Sequence, residues 1–195
     1  MKFSNVPSVK HVPAALSLGG NLGDVLHNFD TAIIRMEEAG ICEIRKSSVY
    51  KTPPLDCPPE SPDFFNAAIT GLWPGKLDDL FALCKKLERE AGRMHGKTCR
   101  NTPRPLDIDI ILFGQISRRD SNIVIPHPSA AKRFFVMIPL AEIAPDWIFP
   151  KLDRTVRDLL ADLGPAPDYA VVNGDLNIQL STLNSERFFH FKVGS

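Results

Sequence analysis

No stretch of this chain approaches the ~18 consecutive apolar residues that a membrane-crossing helix needs, and the segment 1–13 lacks the apolar centre of a secretory leader. The expectation is a soluble, intracellular protein of the cytoplasm. An excess of charge of one sign is missing too. Lys and Arg number 23 and Asp and Glu number 23, which leaves no global basic footprint for nucleic acid or a membrane surface. Neither is an expected partner, so any anion recognition must be local. Cysteine is scarce: Cys42, Cys57, Cys84 and Cys99 lie far apart and form no close pair of the kind that holds zinc. Reduced thiols are expected, and a scattered site built from Cys57, Cys99 and His95 is outweighed by ordinary free cysteine. Internal repeats and low-complexity tracts are absent as well. With 195 residues and 44% hydrophobic content, the chain suits one packed domain better than two.

What is present alternates between strand and helix patterns. An apolar run over 12–18 ends at Gly19-Gly20-Asn21 and reads as a strand entering a tight turn. Asp24 can cap a helix whose apolar positions Leu26, Phe29, Ile33 and Met36 recur at helical spacing before Gly40 stops it. Residues 41–51 read as one strand. The stretch 52–63 carries Pro53, Pro54, Pro58, Pro59 and Pro62, which excludes a regular helix or sheet and implies a stiff extended loop. A strand over 64–72 and a turn at Trp73-Pro74-Gly75 lead into a helix over 77–91 with the core face Leu77, Leu80, Phe81, Cys84 and Leu87. Further on come a strand over 108–113, a hairpin from Gly114 into 122–125, and a helix around 130–143. Short strands are expected at 177–181 and 188–193. Strand, helix, strand, strand, helix, strand is the ferredoxin-like order, so the fold class expected is α+β: a mostly antiparallel sheet with helices packed on its faces.

Residues 93–109 carry the chemistry. Arg93, Lys97, Arg100 and Arg104 stand in a loop without an acidic residue, and their field attracts an anion. Asp107 and Asp109 follow at once, two apart on the strand, so both carboxylates project from one face with Cα atoms roughly 7 Å apart. Hard oxygen ligands at that spacing can hold magnesium, and two ions about 4 Å apart can clamp both sides of a phosphoryl transfer. Alone, an Asp-x-Asp pair favours a surface ion pair with Arg93 and Arg104; the cationic loop beside it shifts the reading toward function.

Four blocks then stand in order: Leu18-Gly-Gly-Asn-Leu-Gly-Asp24; Tyr50-Lys-Thr-Pro-Pro-Leu55 with Phe64-Phe-Asn66; Glu88 to Asp109; and Pro126-His-Pro128 with Arg133-Phe-Phe135 and Pro139-Leu140. Together they resemble the 6-hydroxymethyl-7,8-dihydropterin pyrophosphokinase family of folate biosynthesis. The likeness covers about residues 14–160, and the expected organisation is a pyrophosphokinase domain over 14–163 with extensions at 1–13 and 164–195. The resemblance implies transfer of the terminal diphosphate of ATP to the pterin hydroxymethyl group, with AMP released. It makes Asp107 and Asp109 the ligands of two magnesium ions, with Asp109 also helping to deprotonate the alcohol, and gives Arg93 and Arg104 contacts to the phosphates during transfer. Glu88, His95, Ile110, His127 and Arg133 fall where the family contacts ATP. For the pterin, Thr52, Pro53 and Leu55 would line the pocket, Asn66 would read the aminopyrimidine edge, and Phe64 and Phe135 would sandwich the ring; Phe65 is expected in the core.

The chain departs from the family's usual residues at Gly20, Phe64, His95 and Arg100-Asn101, where serine, tyrosine, arginine and an aromatic are common. ATP and 6-hydroxymethyl-7,8-dihydropterin are the expected small-molecule partners, and a fused or associated folate-pathway enzyme is a further one. Two other readings remain: a different two-metal phosphoryl or nucleotidyl transferase, since an Asp pair does not fix the leaving group, and a noncatalytic ferredoxin-like binding module.

Overall fold

The apolar run that follows His11 does form the first strand, β1 (Val12–Gly20), in the computed structural model, which describes residues 11–55, 60–93 and 102–172. Helix α1 (Val25–Glu38) starts where Asp24 accepts a hydrogen bond from the His27 backbone N–H at 3.1 Å and ends before Gly40, which takes a φ of 103°. Next come β2 (Cys42–Lys46), β3 (Val49–Thr52), β4 (Phe64–Trp73), α2 (Leu77–Glu90) and β5 (Asp107–Phe113). The strands pair antiparallel in the order β5-β1-β4-β3, with β2 also on β4. That is the ferredoxin-like arrangement, and it leaves β5 at a sheet edge.

Helices cover both faces. Against α1 and α2, the sheet presents Leu16, Leu18, Ile69, Ile108 and Ile110 to Phe29, Ile33, Leu80 and Leu87. Phe65 packs on this cluster, as expected from its place between Phe64 and Asn66. Its opposite face presents Ala15, Ala68, Ile111 and Leu112 to the second helical layer. After the hairpin β6 (Arg118–Arg119) and β7 (Val124–Ile125), that layer is made by α3 (Phe134–Ile143) and, beyond a small hairpin β8 (Ile148–Phe149) and β9 (Arg154–Thr155), by α4 (Val156–Asp162). Met137, Leu140, Val156 and Leu159 supply its buried side chains.

Three expectations change. The single strand over 41–51 is two strands: the Ser47 N–H still donates to the Ala68 carbonyl at 2.9 Å, but its hydroxyl, in place of its carbonyl, accepts the Ala68 N–H at 2.8 Å and donates to the Ser48 carbonyl at 2.7 Å. Ser48 in turn donates its N–H and its hydroxyl to Glu142 on α3, which also accepts the Tyr50 hydroxyl at 2.9 Å. The helix around 130–143 is a 3₁₀ turn at Ala130–Lys132 followed by α3, broken where Arg133 becomes extended at φ −127° and ψ 112°. Within the region set apart as a C-terminal extension, β10 (Ala170–Val172) pairs with β3 and lengthens the sheet. The strands expected at 177–181 and 188–193 lie outside the described residues. Among the described residues, no helix is long and apolar enough to cross a membrane.

Candidate active site

The sheet register itself gathers the polar residues. Gly19 on β1 lies opposite Asn66 on β4 and opposite Asp107 on β5, so these three form one row, and strands about 4.8 Å apart put Asn66 roughly 10 Å from Asp107. A Cβ at Gly19 would lie in ordinary van der Waals contact with both, 3.5 Å from Asn66 Oδ1 and 3.9 Å from Asp107 Cβ.

Asp107 is gripped from both sides. Arg93 Nη1 donates to Oδ1 and Arg104 Nη1 donates to Oδ2 at 2.6 Å. Burial alone would raise the Asp107 pKa, but the guanidinium groups of Arg93 and then Arg104 overturn that and hold it below the ordinary carboxylate value. Asp109 goes the other way, pushed up by burial and by the charge of Asp107 beside it. The two neighbouring acids are thus driven in opposite directions, a pattern met at functional sites.

Beneath them sits Glu88, which is 0% exposed. Its Oε1 accepts the Ile108 N–H at 2.8 Å, and Lys85 and Arg93 approach it at 2.8 and 2.7 Å. Ile108 lies between the two aspartates on an edge strand, so Glu88 caps a backbone donor that no neighbouring strand serves. It thereby fixes the pitch of the strand that carries both carboxylates. Burial raises the Glu88 pKa, with Lys85 and Arg93 opposing, and Oε2 is buried without a hydrogen-bond partner.

Next to the pair, a cavity of about 310 Å³ opens between α2, β5 and the β6–β7 hairpin. Ile108, Ile110, Ile123 and Ile125 make apolar walls, and Lys85, Asp109, Asn122 and His127 bring polar groups. The Pro126-His127-Pro128 segment reaches it because the His127 N–H donates to the Ile111 carbonyl on the open edge of β5 at 3.2 Å. Burial lowers the His127 pKa against the pull of Asp109, and its Nδ1 is buried without a partner. A neutral imidazole facing a carboxylate and an apolar slot suits a flat, polar-edged ligand.

The remaining expected residues divide into groups. Thr52 and Asn66 are buried together, Asn66 Nδ2 donating to Thr52 Oγ1 at 2.9 Å, and Phe64 stands half-buried one pleat along, its ring 6.0 Å from the Arg104 guanidinium carbon. Phe135, in the first turn of α3, carries Arg133 over its ring at 5.6 Å. Pro53 is exposed and Leu55 is 63% exposed. His95 lies outside the described residues, as do Lys97, Arg100, Asn101, Cys57 and Cys99; Cys42 is exposed and Cys84 is buried, its thiol pushed up by burial to about 12.

Sequence reading missed three residues. Lys85 stands three positions before Glu88 on α2, the spacing of helix neighbours, which was the available signal. Asn21 donates its backbone N–H to the Arg104 carbonyl at 2.9 Å and accepts the Arg104 N–H on its side chain at 2.8 Å. Glu142 ties α3 to β3 across 94 residues, and no local pattern announces it. The same turn explains Gly20: a Cβ there would come within 2.7 Å of the Pro105 carbonyl. Gly20→Ala is expected to cost about 1–3 kcal/mol of stability by overpacking; an unchanged melting temperature would contradict this contact.

An antiparallel ferredoxin-like sheet with paired acids at its edge, arginines on one of them and an adjoining apolar slot fits the class of phosphoryl-transfer proteins. The comparisons narrow the class. Residues 15–145 match the model of 7,8-dihydro-6-hydroxymethylpterin-pyrophosphokinase, and this chain belongs to that family. It is 34% identical over 162 residues to the 2-amino-4-hydroxy-6-hydroxymethyldihydropteridine pyrophosphokinase of Synechocystis sp., covering 83% of this chain and 81% of that one. It is 36% identical over 138 residues to the mitochondrial folate synthesis bifunctional protein of Arabidopsis thaliana, covering 71% of this chain but 24% of that longer protein. Among solved structures, Plasmodium falciparum HPPK-DHPS with pteroate matches with a TM-score of 0.59 at 14% identity, over 78% of this chain and 44% of that one. At that identity the likeness shows the fold.

Proposed function

We propose that this chain transfers the terminal diphosphate of ATP to the hydroxymethyl group of 6-hydroxymethyl-7,8-dihydropterin, releasing AMP, as a step of folate biosynthesis. The observation that carries the reading is the single row from Asn66 through Gly19 to Asp107, which sets an amide reader of a heterocycle beside a cation site. In this reaction the alcohol oxygen gives up its proton, with Asp109 helping to take it, and bonds to the β-phosphorus; the bridge from that phosphorus to the α-phosphate oxygen breaks, and AMP leaves with the bridging oxygen. Asp107 and Asp109 are the residues to hold magnesium, two ions in this reading, which would neutralise the triphosphate and acidify the alcohol. Their fit rests on two oxygen-donor carboxylates on one strand, one of them with its pKa raised beside the other.

The other residues bind, orient and exclude water. Arg93 and Arg104 supply forked donors for phosphate oxygens. Ile110 and His127, with Lys85, face the slot that takes the adenosine end, and Arg133 lies near enough to His127 to lower its pKa. Glu88 acts from behind, holding Ile108, Lys85 and Arg93. Asn66, braced by Thr52, offers a donor and an acceptor to the pterin amide edge; Phe64 and Phe135 stack on the ring, with Pro53 and Leu55 at its rim. His95 belongs to the same ATP set. A folate-pathway enzyme, fused or associated, is the partner proposed, in keeping with the bifunctional relative.

Incubating the protein with magnesium, ATP and the pterin and identifying the products by mass spectrometry tests this. AMP and a pterin diphosphate in equal amounts are expected, whereas ADP with a pterin monophosphate would make the chain an ordinary kinase. Asn66→Ala should weaken pterin binding by about tenfold to a hundredfold, the worth of one or two buried hydrogen bonds, with nucleotide affinity unchanged; equal weakening of both would detach Asn66 from the pterin.

A further inference from the structure

Both oxygens of Asp107 carry a guanidinium, Oδ1 from Arg93 and Oδ2 from Arg104. The side chains of Arg93, Arg104 and Asp107 are each about one-fifth exposed, at 23%, 20% and 23%, so the contact is reached from the solvent side rather than sealed. Each arginine also has a second hold besides Asp107. Arg104 is fixed through its backbone, pinned both ways by Asn21, and its guanidinium lies near the Phe64 ring. Arg93 shares its Nη1 with Glu88 Oε1. Among the described residues, the groups that meet here balance: Lys85, Arg93 and Arg104 against Glu88, Asp107 and Asp109.

That balance sets what the cluster can accept. A bare divalent cation at Asp107 would face two guanidiniums at close range, and a bare triphosphate would face Asp109. A metal–triphosphate complex brings both signs at once. We propose that Arg93 and Arg104 are exchangeable counter-ions of Asp107: when the complex enters, the carboxylate passes from guanidinium to metal and the guanidiniums pass to phosphate oxygens, so the site takes metal and triphosphate together in preference to either alone. This inference rests on the reading of Asp107 and Asp109 as metal ligands given above. It adds a role for the arginines before any phosphate is present, and it requires them to act with opposite sign on two ligands.

The test is calorimetric titration of the full chain with Mn²⁺ alone and with Mn²⁺ plus the non-hydrolysable α,β-methylene analogue of ATP. Arg93→Gln and Arg104→Gln are each expected to bind Mn²⁺ alone about threefold to tenfold more tightly than the parent, and to bind the metal–analogue complex at least about tenfold more weakly, the scale of one charge-assisted contact. Arg104→Lys, which keeps the charge, should bring the affinity for bare Mn²⁺ back toward the parent value. Melting curves verify that each variant is folded. If the glutamine variants bind bare Mn²⁺ no better than the parent while losing the complex, the arginines serve the nucleotide only and the exchange is wrong. Failure of the parent itself to bind the complex would instead overturn the functional reading, and the exchange with it.

Discussion

Replacing Asp107 and Asp109 together by asparagine is expected to cut AMP formation by at least about 10³-fold, since losing even one preorganised charge-stabilising group costs an enzyme about 10²–10³ in kcat. The amides keep the volume of the acids, so β5 and its neighbours need not repack. What goes is the negative charge that holds the metal in the proposed reaction, and with it the ordering of the triphosphate for in-line attack. Pterin binding should hardly change, because Thr52, Phe64 and Asn66 stand on β3 and β4 rather than β5. Steady-state kinetics with pterin affinity measured in parallel decides the matter; a loss of less than about tenfold would mean that the chemistry is carried elsewhere.

The second large effect concerns stability. Glu88→Leu is expected to destabilise the fold by about 3–5 kcal/mol, as removal of one partner of a buried ion pair usually does. Lys85 and Arg93 would be left facing each other across an apolar side chain, and the buried Ile108 N–H would lose the acceptor that Glu88 provides. At about 2–4 °C per kcal/mol for a chain of 195 residues, the melting temperature should fall by roughly 6–20 °C. Glu88→Gln retains an acceptor for Ile108 and should lose less than half as much. Thermal unfolding of both variants is the check, and equal small losses would show that Glu88 is not the pin of β5.

Much of this was legible in the sequence because it depends on local spacing. Asp107 and Asp109 share a face since strand side chains repeat every two residues, and the Asp24 cap and the Gly40 stop follow from helix-end chemistry. The ferredoxin-like order came from the succession of patterns, and the strand pairing agrees with it. What escaped depends on contacts distant in sequence. The break at Ser47-Ser48 arises from hydroxyls that satisfy backbone groups of β4 and meet Glu142 on α3, so a run that reads as one strand becomes two. Glu88 illustrates the limit differently. Its block pointed to an ATP contact, and burial places its carboxylate behind the cavity, where only three-dimensional packing could reveal that it caps an edge-strand N–H. Lys85 and Asn21 were within reach of local rules, yet a lone lysine on a helix or an asparagine in a turn is indistinguishable from solvated surface until its partners are known.

One experiment addresses the central claim most directly: a single turnover with magnesium, the pterin and ATP carrying oxygen-18 on the non-bridging oxygens of its β-phosphate, followed by the isotope shifts in phosphorus NMR, with the Asp107→Asn, Asp109→Asn double variant alongside. The account predicts that all label leaves with the pterin as the ester-linked phosphate of a diphosphate, that the AMP is unlabelled, and that the double variant gives neither product on the same time scale. Label retained in ADP, or transfer undiminished in the variant, would contradict it.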